Sequence, residues 1–202
     1  AEPDWPKPAA ILRLLVSVPV LSRAAAGGLV STAGVAFGML WGVSFFQVHH
    51  QMSLTAASVC ASFYFWGCLP GMLGFAWLCA RFPMPSRLLA LGAVGTAVAM
   101  ALILFVLHGQ VALGAAMFVL GVSNSAYALS FTMVKDHAPP EVSGVAMGLT
   151  NMMIMGIGGL IFQPLIGVLA HVRGEEVPDA AALSIIVGAQ FLARAILAGT
   201  RD

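Results

Sequence analysis

Charge is what this sequence lacks. Of its 202 residues only 8% are Asp, Glu, Lys or Arg, while 60% are hydrophobic; an average soluble domain is roughly 25% charged. A chain with so little polar surface cannot stay dispersed in water as a globule, and that class is excluded. The few charges nearly cancel, nine Lys and Arg against eight Asp and Glu, so there is no basic footprint for a nucleic acid partner. Catalytic signatures are missing too. No serine lies in a nucleophile elbow and no HExxH pair occurs, so nothing points to an enzyme or a cofactor. Cysteine is sparse: Cys60, Cys68 and Cys79 have neither metal nor redox spacing and read as structural thiols. There is no initiator Met and no basic-then-apolar leader at Ala1, which reads as a chain that begins inside a longer reading frame.

The positions without charge are more informative than the totals. Ala24–Ala80, Leu88–Val134 and Val142–Val172 contain no Asp, Glu, Lys or Arg. An ionised side chain at the bilayer centre costs about 2.5–3.5 kcal/mol on insertion scales, and roughly 20 apolar residues cross the hydrocarbon. The first two stretches therefore hold two spans each and the third holds one. A sixth fits the last apolar stretch if Arg194 reaches back to the interface. The expected fold is an all-α integral membrane protein, a six-helix bundle over residues 24–202. Its spans fall at about 24–48, 54–79, 88–107, 111–134, 144–170 and 181–199. Residues 1–23, with Pro3, Pro6, Pro8 and Pro19 among five charges, read as a cytoplasmic linker carrying a short amphipathic piece over Ile11–Val18.

This layout puts Lys7, Arg13, Arg23, Arg81, Arg87, Lys135, Arg194 and Arg201 on the side of the termini and only Arg173 opposite. By the positive-inside rule both termini are then cytoplasmic, in an inner or plasma membrane.

Within the spans the polar residues are uncharged. Gly34, Gly38 and Gly42 in the first, Gly67 and Gly71 in the second, and Gly144 and Gly148 in the fifth recur at i, i+4. Such stripes let helix backbones approach closely, either for static packing or for sliding. Projected at about 100° per residue, Gly144, Gly148, Met155 and Gly159 share one face of the fifth span, with Asn151 on one edge and Gln163 on the other. Amides there serve a cavity or bond across helices, and Pro164 predicts a kink. The fourth span presents Asn124, Tyr127 and Phe131 along one side, a charge-free polar lining of the kind that suits an organic solute. Trp41, Ser44 and Gln47 in the first span and Ser58, Ser62 and Trp66 in the second add further candidates. Both tryptophans lie away from the interfacial belt where Trp is commonest. His49, His50, His108, His137 and His171 fall in turns or at helix ends. They read as solvated residues, with proton sensing at His49 or His50 as the alternative, and no metal site is expected. No span contains a carboxylate, so an acid that couples proton movement must come from sequence outside this chain.

The string KDHAPPEVSGVAMGLTNMMIMGIGGLIFQPLIG at Lys135–Gly167 resembles helices ten and eleven of the major facilitator superfamily, through the Pro140–Gly144 entry, Gly148 and Asn151. Gly38-Met39-Leu40-Trp41-Gly42 resembles that family's helix seven. The likeness covers the chain as helices seven to twelve. The family's loop signature after helix eight, roughly G-x-x-x-D-R-x-G-R-R, keeps only Arg81; Ala76, Ala80 and Pro83 stand at its Gly, Asp and Gly positions, and Arg87 is a displaced basic residue. The resemblance implies alternating access by two six-helix bundles, as symporter or antiporter, with a small-molecule substrate at the midplane. The partner bundle, an N-terminal half, is missing from this chain. Expected substrate contacts are Trp41, Gln47, Trp66, Asn124, Tyr127 and Asn151; Gly38, Gly42, Gly71, Arg81, Gly144, Gly148 and Gly159 are expected to serve packing and gating. Two other readings remain: a half-sized transporter acting as a homodimer, and a non-transporting membrane subunit or sensor.

Overall fold

A computed structural model describes residues 8–199; Lys7 and Arg201 of the charge argument lie outside them. Among the described residues there are only helices and connections, and six helices are long and apolar enough to cross a membrane: Val18–His49, Leu54–Arg81, Pro85–Phe105, Gln110–His137, Pro140–Val172 and Ala180–Ala198. The chain is an integral membrane protein. A separate short helix, Pro8–Leu15, precedes the first span. It buries Leu14 and leaves Leu12 and Leu15 exposed. The first span begins at Val18, six residues before the charge-free stretch, because Pro19 stands in its first turn and costs no hydrogen bond there. Arg23 lies inside this early start and donates from Nη1 to the Pro19 carbonyl at 2.9 Å.

Local chemistry sets the other helix ends. Ser53 Oγ accepts the Ala56 N–H (3.2 Å) and Asp179 accepts the Ala182 N–H (2.8 Å), N-caps that open the second and sixth spans. Pro85 and Pro140 sit in the first turns of the third and fifth. Gly109, at φ +86°, turns the chain between the third and fourth in a conformation that favours glycine.

The six helices are unequally enclosed. In the most apolar part of the first span 72% of residues are buried, against 28% in the second and 17% in the fifth. The first span packs on the fourth, fifth and sixth, the second on the fourth, and the third on the fourth and sixth. The second and fourth spans meet backbone to backbone: a Cβ on Gly67 would strike the Phe118 carbonyl, one on Gly71 would lie 2.6 Å from the Val122 carbonyl, and one on Gly121 would strike the Tyr64 carbonyl.

Two spans depart from α-helical bonding at mid-length. Ala33–Trp41 in the first and Gly156–Phe162 in the fifth are π-helical, with each N–H bonding five residues back; the Gly42 N–H to the Phe37 carbonyl is one such bond. In the fifth span the cause is legible. Pro164 has no N–H to give, and Gly156, Gly158 and Gly159 offer no side chains to resist the wider turn. The wider turn also breaks the uniform helical projection of this span. Gly144 and Gly148 stay on an open face, whereas Gly158 presses against Val35, where a Cβ would come within 2.6 Å, and Gln163 turns inward. The fourth span tightens instead, to a 3₁₀ turn over Ser125–Ala128.

Candidate functional site

In hydrocarbon a polar group needs a partner within the protein, and amides from three other helices donate to carbonyls of the first span at and just before its π-helical stretch. Asn124 Nδ2 of the fourth span donates to the Val30 carbonyl at 2.6 Å. Gln163 Nε2 of the fifth donates to the Val35 carbonyl at 2.7 Å. Gln190 Nε2 of the sixth lies 3.1 Å from the Leu29 carbonyl and 3.2 Å from Thr32 Oγ1. Ser31 Oγ donates to the Gly28 carbonyl at 2.8 Å and reaches the Ile154 carbonyl of the fifth span at 3.3 Å. The first span is thus a central strut whose backbone is clasped by side chains from its neighbours.

The second span joins this clasp through Tyr64. Its hydroxyl donates to Asn124 Oδ1 at 2.8 Å, so both ends of the Asn124 amide are used and the residue is fully buried. Glycines make the room. A Cβ on Gly34 would strike the Tyr64 hydroxyl and lie 2.9 Å from Asn124 Oδ1, and one on Gly38 would sit 3.3 Å from the Tyr64 ring. A Cβ on Gly42 would come 2.9 Å from the Phe37 carbonyl, within the π-helical stretch itself.

The structure therefore divides the residues singled out in the sequence. Asn124, Gly34, Gly38, Gly42 and Gly71 belong to the interior. Tyr127 is half-buried and packs against the cluster containing Leu29, Leu89 and Met133. Trp41 is half-buried, its ring 3.6 Å from where a Cβ on Gly167 would stand, with Nε1 enclosed and without a hydrogen-bond partner. Gly159 lies beside Val35 and Gln163, and Gln47 is half-buried near the end of the first span. The rest face outward. Asn151 is exposed, a Cβ on Gly144 or Gly148 would meet nothing within 4 Å, Trp66 is 69% exposed on the second span, and the Arg81 guanidinium lies 6.0 Å from the Phe82 ring centre. Tyr64, Gln163 and Gln190 carry the clasp without having been chosen as site residues. The available signal was their type: an uncharged hydrogen-bonding group in an otherwise apolar helix.

Cavities of about 530 Å³ and 400 Å³ open at the end of the bundle where Val18 and Ala198 lie. Arg13, His137 and Glu141 help line the first, and Arg23, Thr132, Asp136 and His137 the second. None of the six expected substrate contacts lines either. At the opposite, distal end, Arg173 pairs with Asp179 at 2.8 Å. Burial pushes the Asp179 carboxyl up, but the Ala182 N–H and the Arg173 guanidinium outweigh it and hold the group below the usual carboxylate value. Burial, followed by the nearby His108 and His49, holds His50 below the usual histidine value.

Among the described residues, a bundle of six helical spans with amides and hydroxyls but no carboxylate buried in its interior defines the class: a polytopic integral membrane protein whose interior polar groups bond the backbone and one another. The sequence pattern of the Major Facilitator Superfamily matches residues 1–198. The chain belongs to that superfamily, whose members are membrane transporters. No individual curated protein matches it.

Proposed function

We propose that this chain is the C-terminal six-helix half of a secondary transporter and moves a small solute by alternating access against an N-terminal six-helix half. The observation that carries the reading is the open face of the fifth span. Asn151, Gly144 and Gly148 are exposed there, on a helix whose apolar window is only 17% buried. Lipid cannot satisfy an amide, whereas a second bundle can pack on the glycines and enclose Asn151 beside a hydrated path. Both termini are cytoplasmic in this reading, supported by the charge asymmetry between the two ends, and the membrane is the inner or plasma membrane.

Among the substrate contacts, Asn151, Trp66, Gln47, Trp41 and Tyr127 are proposed to meet the solute directly. Asn124 reaches it only in a state where Tyr64 or the first span has moved, since its amide is fully engaged here. Solute uptake by the complete protein in proteoliposomes tests the proposal. Asn151→Leu should abolish uptake while expression and thermal stability stay at the wild-type level. Uptake unchanged in that variant removes Asn151 from the site. No uptake of any solute by the wild-type protein, with intact binding of another membrane protein, favours the subunit reading.

A further inference from the structure

Two histidines far apart in the sequence meet at the distal end of the bundle. His50 closes the first span, and His108 lies in the short connection between the third and fourth. Their ring centres are 5.9 Å apart, with the planes inclined at 65°. The hydrogen bonds decide which nitrogen of each neighbouring ring is free. His108 Nδ1 lies 3.1 Å from the Val106 carbonyl. A carbonyl only accepts, so Nδ1 carries the proton and the Nε2 lone pair of neutral His108 is unused. A metal-binding histidine is held in just this way, its second nitrogen donating to a carbonyl or carboxylate. His50 is steadied by the Phe45 and Phe46 rings, at 5.5 and 5.9 Å. His49 Nε2 lies 3.2 Å from the Pro178 carbonyl, in the connection before the sixth span.

We propose that His50 and His108 form a two-imidazole site for a divalent transition metal, with Zn²⁺ as the reference ion and water completing the coordination. Imidazole suits zinc, copper and nickel rather than magnesium or calcium. Two imidazoles on one tetrahedral ion, with Zn–N about 2.0–2.1 Å, have ring centres roughly 5 Å apart, so the rings close by about 1 Å on binding. His108 is exposed and His50 half-exposed, which gives an ion access from water. Among the described residues no group of three or more His, Cys, Asp and Glu is placed to hold a metal. The affinity is accordingly that of two protein ligands. A bound ion would tie the turn after the first span to the turn between the third and fourth.

The test is Zn²⁺ titration of the purified full-length protein, freed of any histidine tag, followed by calorimetry and thermal melting. One equivalent should bind and raise the melting temperature. His50→Ala and His108→Gln should each weaken binding at least tenfold, and His171→Ala should leave it unchanged. His108→Gln, on an exposed turn, keeps the test valid if His50→Ala fails to fold. Absence of binding to the wild-type protein, or equal binding by His108→Gln, overturns the site and leaves an imidazole ring contact only.

Discussion

The middle of the first span and the opening half of the fifth use the same residue types for opposite ends. Both carry glycines at i, i+4 and both have an amide within reach. In the first, Gly34 and Gly38 are filled by the Tyr64 ring and hydroxyl, and Asn124 is bonded at both ends. In the fifth, Gly144 and Gly148 face open space and Asn151 is exposed. A glycine stripe is thus a vacancy whose meaning depends on what stands opposite. Where a neighbouring span supplies a tyrosine, the vacancy becomes core; where this chain supplies nothing, it stays open, and that open face is the docking surface proposed above.

The largest effect should separate the two stripes directly. Gly34→Val must displace Tyr64 and Asn124, and overpacking of this kind costs about 1–3 kcal/mol or more. It should remove most folded protein from detergent extracts, as judged by size-exclusion profile and melting temperature. Gly148→Val should fold normally yet lose uptake, because the added side chain stands on the proposed docking face. Equal stability of the two variants would dissolve the contrast.

Next come the amides. Asn124→Leu removes the 2.6 Å donor to the Val30 carbonyl and the acceptor of the Tyr64 hydroxyl, and loss of buried hydrogen-bond partners costs roughly 1–3 kcal/mol. Tyr64→Phe combined with Asn124→Leu should cost less than the sum of the two single changes. Asn151→Leu should leave melting unchanged. A large loss of stability in Asn151→Leu would mean that its side chain is already engaged within this chain.

Gln163→Leu removes one donor from the join between the two π-helical stretches and should cost about 1 kcal/mol. Faster amide exchange near Val35 and Gly156–Phe162, with the far end of the sixth span unaffected, is the expected signature. Unchanged exchange in those segments would show that the Gln163 bond does not hold them.

The smallest effect lies at the distal end. Asp179→Ala loses an N-cap and an ion pair with an exposed arginine, about 1 kcal/mol in total. The Asp179 carboxyl is held below its ordinary value of 3.8. Its contribution is therefore complete above that pH and is lost as the pH falls through the lower folded value. Acid melting curves of wild type and Asp179→Ala should converge below pH 3.8 and separate above it; a constant offset across that range would assign the effect to something other than the carboxylate.

Much of the architecture was legible because burial in lipid is a rule about runs of residues. The charge-free stretches marked five spans and the last apolar stretch a sixth, and in the structure Ser53, Pro85, Pro140 and Asp179 stand where four connections end. The site was less legible because it depends on pairs. Tyr64 projects to a different face from Ser58, Ser62 and Trp66, and nothing in the sequence placed it opposite Gly34. The projection of the fifth span fails after Met155 because the backbone there switches to π-helical bonding. Gln163 is carried inward to Val35 while Gly144 and Gly148 are not.

By itself, then, the sequence determined that this protein lives in a bilayer and that its spans are apolar, and its motifs resemble a transporter family along the chain. The first two properties follow from the cost of charge and unpaired backbone in hydrocarbon, which each segment meets alone. Only the tertiary structure decided which amides are spent on the first span and which stay exposed. It also decided that His50 and His108 stand together. A hydrogen bond or a metal site needs two groups within a few ångströms, and distance between helices is not written in the period of any one of them.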